Sequence, residues 1–204
     1  MAEHHSIEDW DRSQPSSILL TDAHYVSEPS SLLFSEYEEE SYWGTILSRH
    51  VDAQDLAEGR IVTQFQARVA GYQAGFTFRN QAALGTSNYE NCYLIVFFGS
   101  EWHLDYVTGG VEHGIGATSM DFPTYEWIKL RLSWWNGYSD NGLPALAVML
   151  ERYIDGEWVK QGDTLYDEDN HFKDSETNRC GLHALGQTID VIFYDDTEIW
   201  ERET

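Results

Sequence analysis

In GYQAGFTFRN the apolar residues fall on every second position. Tyr72, Ala74, Phe76 and Phe78 share one side of an extended chain, and Gln73, Gly75, Thr77 and Arg79 take the other. This period of two constrains the fold more than anything else in the chain, because a helix of period 3.6 would scatter the same residues around its circumference. GRIVTQFQARVAG repeats the pattern, with Ile61, Phe65, Ala67 and Val69 inward and Gln64, Gln66 and Arg68 outward. EWIKLRLSWW does so with Ile128, Leu130, Leu132 and Trp134 inward, and WHLDYV alternates as well. Further strands are expected at SILLTD, SSLLFS, GTILSR, CYLIVFF, PALAVMLERY, GLHAL and TIDVIFYDD, each bounded by Gly, Asn, Ser or Asp. RYIDGEWVK reads as a hairpin turning at Asp155-Gly156, a dipeptide that suits two successive positive φ angles. No segment has a long amphipathic helical pattern.

About a dozen strands, each with one wet face, do not fit a single flat sheet. The sequence therefore predicts an all-β fold in which two antiparallel sheets pack face to face. The 204 residues suit one such domain, expected over residues 10–204 behind a short tail at 1–9.

Charge narrows the setting. Asp and Glu number 35 against 12 Lys and Arg, only Lys129, Lys160 and Lys173 being lysines, for a net charge of −23. Aromatic residues make up 14% of the chain, so this is a folded core under an acidic shell and not a disordered acidic tail. Such a shell repels itself at ordinary salt and is screened at molar salt, which points to a halophilic system. No basic stripe favours nucleic acid. No apolar run is long enough for a membrane helix, and no secretory signal pattern follows Met1. Cys92 and Cys180 lie in separate strand-like segments without zinc spacing and are expected as buried free thiols, a single bridge being the alternative.

The succession AGFTFRNQ, NCYLIVFF, WHLDYVTGG, YEWIKLRLSWW, LAVMLERYIDGEW, GLHALG and DVIFYDDTEIW, after an opening IEDWDR and LLF, resembles the concanavalin A-like lectin/glucanase jelly roll, close to its laminin-G-like branch. The resemblance spans nearly the whole chain. It carries no catalytic signature: the Glu-x-Asp-x-x-Glu arrangement of the family's glucanases is absent, and adjacent Asp195 and Asp196 would face opposite sides of a strand. Glu38 to Glu40 and Asp167, Glu168 and Asp169 read as solvated acidic surface. Counting from Ile189, Val191 and Phe193 puts Asp195 on the core side unless a bulge intervenes. The resemblance extends to carbohydrate-binding sandwiches in which acidic residues of the first and last strands hold a structural calcium, here Asp9, Asp11 and Asp195. Strand-end hydrogen bonding is the alternative.

The outward positions of the clearest strands are Gln64, Gln66, Arg68, Gln73, Arg79, His103, Asp105, Lys129 and Arg131. The resemblance implies that these share one sheet and form a polar, partly basic face that binds sugars, with Trp102, Trp135 or Tyr138 at its edges as stacking platforms. The alternative is a solvated face whose arginines pair with carboxylates.

The leading functional expectation is a non-enzymatic structural and binding protein: a turret, spike, tail or fibre component on the virion of a haloarchaeal virus. It would form homo-oligomers through loops bearing Trp43, Tyr89 or Tyr138, contact other virion proteins, and bind a host glycan. A cellular lectin-like module, in the cytoplasm or on the cell surface of a halophile, and a cleft glycoside hydrolase are the alternatives.

Overall fold

The structure, a computed structural model, describes residues 2–3, 10–12, 18–21, 31–34, 42–48, 56–67, 73–81, 91–174, 178–186 and 192–201, with side chains from residue 56 onward except at 73, 185, 186 and 193. Among these there are sixteen strands and no helix. They are β1 (Ala2–Glu3), β2 (Trp10–Arg12), β3 (Ile18–Thr21), β4 (Ser31–Phe34), β5 (Tyr42–Ser48), β6 (Gly59–Ala67), β7 (Gln73–Asn80) and β8 (Asn91–Phe98). After them come β9 (Glu101–Thr108), β10 (Val111–Ser119), β11 (Ile128–Tyr138), β12 (Pro144–Ile154), β13 (Glu157–Lys160), β14 (Leu165–Asp167), β15 (Arg179–Gly186) and β16 (Ile192–Glu201).

The strands form two sheets. One has nine strands in the order β13-β12-β11-β6-β16-β4-β3, with β1 on β16 and β14 on β12; the other has seven in the order β10-β9-β8-β7-β15-β5-β2. All pairings are antiparallel. The chain is thus the expected two-sheet jelly-roll sandwich. Ala2 and Glu3, within the stretch expected as a tail, pair with Ile199 and Glu198.

The alternating apolar residues meet between the sheets. Ile61 and Phe65 of β6, Leu130, Leu132 and Trp134 of β11, and Leu146, Val148 and Leu150 of β12 face Phe76 and Phe78 of β7, Tyr93, Ile95 and Phe97 of β8, and Trp102 and Leu104 of β9. Burying each such side chain contributes roughly 1.5–3 kcal/mol. Phe78 bridges the layers, its ring 5.1 Å from Tyr93 in its own sheet and 5.0 Å from Trp134 in the other. The hairpin turns where expected, with φ of 51° at Asp155 and 92° at Gly156.

Both cysteines are free and buried on the seven-stranded sheet. Cys180 faces the main core, whereas Cys92 belongs to a second apolar cluster with Leu94, Val96 and Val107 on that sheet's outer side. Burial pushes the Cys92 thiol up to about 12 and raises that of Cys180 as well, so both stay protonated near neutrality.

Candidate functional site

The outer face of the nine-stranded sheet is built in rows across the strands. Because Ile61, Leu132, Leu150 and Ile199 point into the core, the residues between them point out. Strand register lines up Trp200 of β16, Arg60 of β6, Ser133 of β11 and Met149 of β12 side by side. The next row is Glu198, Val62, Arg131, Glu151 and Lys160, and the row on the other side contains Trp135 and Ala147.

Between these rows lies a cleft of about 480 Å³ lined by Gly59, Arg60, Ser133, Trp135, Met149, Thr164 and Glu201. That volume is within the roughly 300–1,000 Å³ of small-molecule sites. Gly59 leaves no room for a side chain, since a Cβ there would lie 2.8 Å from Cζ2 of the core residue Trp134 and 2.9 Å from the Trp200 carbonyl oxygen. Trp134 itself is fixed from below, its indole NH donating to the Leu56 carbonyl at 3.1 Å. The Arg60 guanidinium lies 5.0 Å from the centre of the Trp200 ring, and the Trp200 indole NH donates to Glu198 at 3.1 Å. One row on, Arg131 makes two hydrogen bonds to Glu151, 2.6 and 2.7 Å long, and covers Trp158 at 4.3 Å. Trp135, Trp158 and Trp200 thus stand on one face with two guanidinium groups.

The expected binding residues do not share that face. Gln66, Lys129, Arg131 and Trp135 belong to the nine-stranded sheet, whereas Gln73, Arg79, His103 and Asp105 belong to the other. Gln66 is nearly covered, its amide donating to the Tyr125 carbonyl at 3.2 Å. Lys129 is half-buried, and Tyr138, at the far end of β11, is exposed. Arg131 is present but committed to Glu151, the cross-strand pairing weighed as the alternative. His103 is half-exposed with Glu101 at 3.6 Å. Trp102 is no platform: it takes the inward parity opposite to His103, is fully buried, and donates to the Gln161 carbonyl at 2.8 Å. Asp105 points outward but is buried, and burial together with neighbouring Glu112 pushes its carboxyl up to about 7. Arg68 lies outside the described residues, as do Asp9 and Tyr89, and the side chains of Asp11, Trp43 and Gln73 are not described.

Arg79 departs furthest from expectation. Its φ of 46° breaks the alternation of β7, and the side chain is wholly buried. The guanidinium donates to the Ala57 carbonyl at 2.9 Å and to the side-chain oxygens of Asn170 at 2.6 Å and Asn136 at 2.8 Å. Burial lowers its pKa. Asp167, expected on the surface, is also interior. Burial opposes its ionisation, but hydrogen bonds from the Tyr93 hydroxyl and from the backbone and ring of His171 more than offset this and leave its pKa below the usual range. This polar cluster ties the loop after β14 to the sandwich end.

Asp195 also corrects the sequence reading. Ile192 and Tyr194 are the core residues of β16, so Asp195, paired with Gln64, has the outer parity, and a bulge follows it. It is nevertheless buried, and its Oδ1 accepts the Asp196 backbone NH at 2.8 Å. Asp11 sits on β2, in the other sheet. Among the described residues no three His, Cys, Asp or Glu side chains gather to hold a metal ion.

The residues missed by sequence reasoning are Arg60, Ser133, Met149, Trp158, Thr164, Trp200 and Glu201. Extending the outward series Gln66, Gln64 and Val62 by one more step reaches Arg60. Trp200 was concealed by the bulge, which inverts the alternation just before it.

No protein-family model and no curated protein matches the chain in sequence. Solved structures do match in fold. A carbohydrate binding module, CBM66, from Bacillus subtilis superposes with a TM-score of 0.56 at 11% identity, covering 94% of this chain and 95% of that one. The exoplasmic/lumenal domain of VIP36, solved with Ca2+ and Man3GlcNAc bound, gives 0.57 at 14% identity, covering 98% and 86%. The xylan beta-1,4-xylosidase of Bacillus halodurans gives 0.57 at 13% identity over 98% of this chain but 38% of the enzyme. The fold is the concanavalin A-like jelly roll shared by lectins, carbohydrate-binding modules and glycosidase domains.

Proposed function

We propose that this chain is a non-catalytic carbohydrate-binding protein whose site is the cleft on the outer face of the nine-stranded sheet. The observation that carries this reading is a cleft lined by Trp135 together with Arg60, Ser133, Thr164 and Glu201, with Arg60 lying over the ring of neighbouring Trp200. A pyranose ring has an apolar C–H face, which an indole covers, and a rim of hydroxyls, which need donors and acceptors at fixed positions. The lining supplies both. The lectin and carbohydrate-binding neighbours support the reading at the level of the fold alone. A binding role is favoured over hydrolysis because Glu201 is the one carboxylate among the described residues that line the cleft, whereas glycoside hydrolysis in most families needs two flanking the bond.

The setting belongs to the same proposal. A glycan-binding sandwich with this acidic charge suits the surface of a virion or cell in brine, present there as repeated copies. Capsid or tail genes beside the coding gene would support the virion setting, and purified particles lacking the protein would remove it.

Binding is tested on a glycan panel in molar salt. Trp135→Ala and Trp200→Ala are each expected to weaken the strongest hit about tenfold, roughly 1.4 kcal/mol. Tyr138→Ala, away from the lining, should not. A panel without any hit, or hits indifferent to both tryptophans, overturns the proposal.

A further inference from the structure

The two arginines of the cleft face differ in what they have left to offer. Arg131 is committed to the Glu151 carboxylate in a fork at 2.6 and 2.7 Å. Arg60 makes no ion pair with any described residue, although the chain carries 35 carboxylates. Its guanidinium is oriented by the Trp200 ring, which is itself held by the hydrogen bond to Glu198. The ring contact takes up none of the N–H donors and leaves them for another partner. A planar guanidinium edge matches a carboxylate in a two-point contact.

We propose that the cleft selects acidic sugars, with Arg60 receiving the carboxylate of a uronic acid whose ring packs on Trp135. Glu201, paired with Gly59 on the strand next to that of Arg60, accepts hydrogen bonds from the hydroxyls of the same sugar. This rests on the carbohydrate-binding reading above and adds the class of sugar. The net charge of −23 repels an anionic ligand at long range, but molar salt shortens that repulsion to about 3 Å while direct contact at Arg60 persists. An arginine held by an aromatic ring and without an ion-pair partner among the described residues, in a chain of strong net negative charge, is thus suited to recognising an anion by contact and not by attraction from a distance.

The test uses matched trisaccharides in the gluco, galacto and manno series, each as the uronate, as its carboxyl-reduced neutral form and as a 6-O-sulfated form. Affinities are measured by calorimetry in molar KCl. In the series that binds, the uronate is expected to bind about tenfold tighter than the neutral form. Arg60→Gln should bring that ratio to about 1, and Arg60→Lys, which keeps the charge but loses the fork, should leave an intermediate ratio. Lys160→Gln, on the same face beyond the lining, should leave it unchanged. Near-ultraviolet circular dichroism checks that each variant is folded. Equal binding of uronate and neutral sugar overturns the acidic preference while the carbohydrate reading stands. Tighter binding of the sulfated form overturns the carboxylate assignment. Absence of binding to every sugar overturns both.

Discussion

Thr63 and Thr197 meet hydroxyl to hydroxyl at 2.8 Å within the core side of the nine-stranded sheet. They do so because β16 carries one residue too many at this point. Gln64 pairs with Asp195 and Val62 with Glu198, so Thr63 alone faces both Asp196 and Thr197. Asp196 absorbs the extra residue with a φ of 46°, its NH bonded to the Asp195 carboxylate, while the Thr63 hydroxyl also reaches the Asp195 carbonyl at 3.0 Å. The adjacent aspartates are a switch of phase. Without them Trp200 would follow the inward parity of Tyr194, and the bulge is what turns it out beside Arg60.

The first prediction concerns that bulge. Asp196→Gly removes the strain of a positive φ and should keep or slightly raise stability, by about 0.5–1 kcal/mol. Asp196→Val should lower it by about 1–3 kcal/mol, since a β-branched residue disfavours that conformation. Thr197→Val, which leaves the Thr63 hydroxyl without its side-chain partner, should cost about 1–2 kcal/mol. Denaturant unfolding at fixed salt measures all three. Equal stability of the Gly and Val variants would show that the left-handed residue is not what holds the strand.

The second prediction is a pH dependence with two opposed contributions. His183 is buried with Nε2 2.8 Å from the Ile95 carbonyl, and burial lowers its pKa to about 4 from 6.5, despite that hydrogen bond. The unfolded chain binds the proton first, so the stability gained from neutral His183 is complete above pH 6.5 and is lost as pH falls toward 4, up to about 3 kcal/mol. Asp105, with its carboxyl raised from 3.8 to about 7, does the reverse. Its contribution is complete below about pH 4 and disappears as pH rises through 7. Asp105→Asn should therefore stabilise the protein at pH 8 and change little at pH 4. In His183→Gln the loss of stability between pH 6.5 and 4 should be smaller than in the parent chain. Parallel stability curves for parent and variants across this range would contradict both assignments.

The strands that could be read from the sequence are those whose two faces differ. In β6, β7 and β11 apolar and polar residues alternate in the sequence, and that pattern alone places Ile61, Phe76 and Leu132 in the core, although burial itself alternates only in β11 and residues 74–80 of β7 are all buried. β10 was missed because Gly114, Ile115 and Gly116 present no alternation, and as the edge of its sheet this strand is largely exposed on both sides. The cleft was only partly legible. Trp135, Lys129 and Arg131 follow from the phase of β11, but assigning them to the same face as His103 and Arg79 required knowing which strands share a sheet, and periodicity does not encode that. Positive φ at Arg79 and Asp196 broke the parity argument twice, at residues that carry no glycine to announce a turn.

The last prediction is a loss of stability on dilution from molar salt. Only 12 Lys and Arg stand against 35 Asp and Glu, and among the described residues several of these cations are already committed. Arg79 is spent inside on two asparagines and a carbonyl, and Arg131 on Glu151. Arg152 lies 3.7 Å from Asp121, an exposed carboxylate at which such a pair contributes little. The net charge of −23 is therefore carried largely uncompensated on the outside. At about 0.1 M salt each carboxylate feels its neighbours over roughly 10 Å, against about 3 Å at 1 M. Melting temperature should fall sharply between these conditions, or the chain should unfold. Sodium and potassium chloride should restore it equally if screening is the cause. Sucrose at matched osmolality, which favours compact states without screening charge, should restore much less. A melting curve unchanged by dilution, or rescued by sucrose as well as by salt, would remove the argument that the acidic shell is an adaptation to brine.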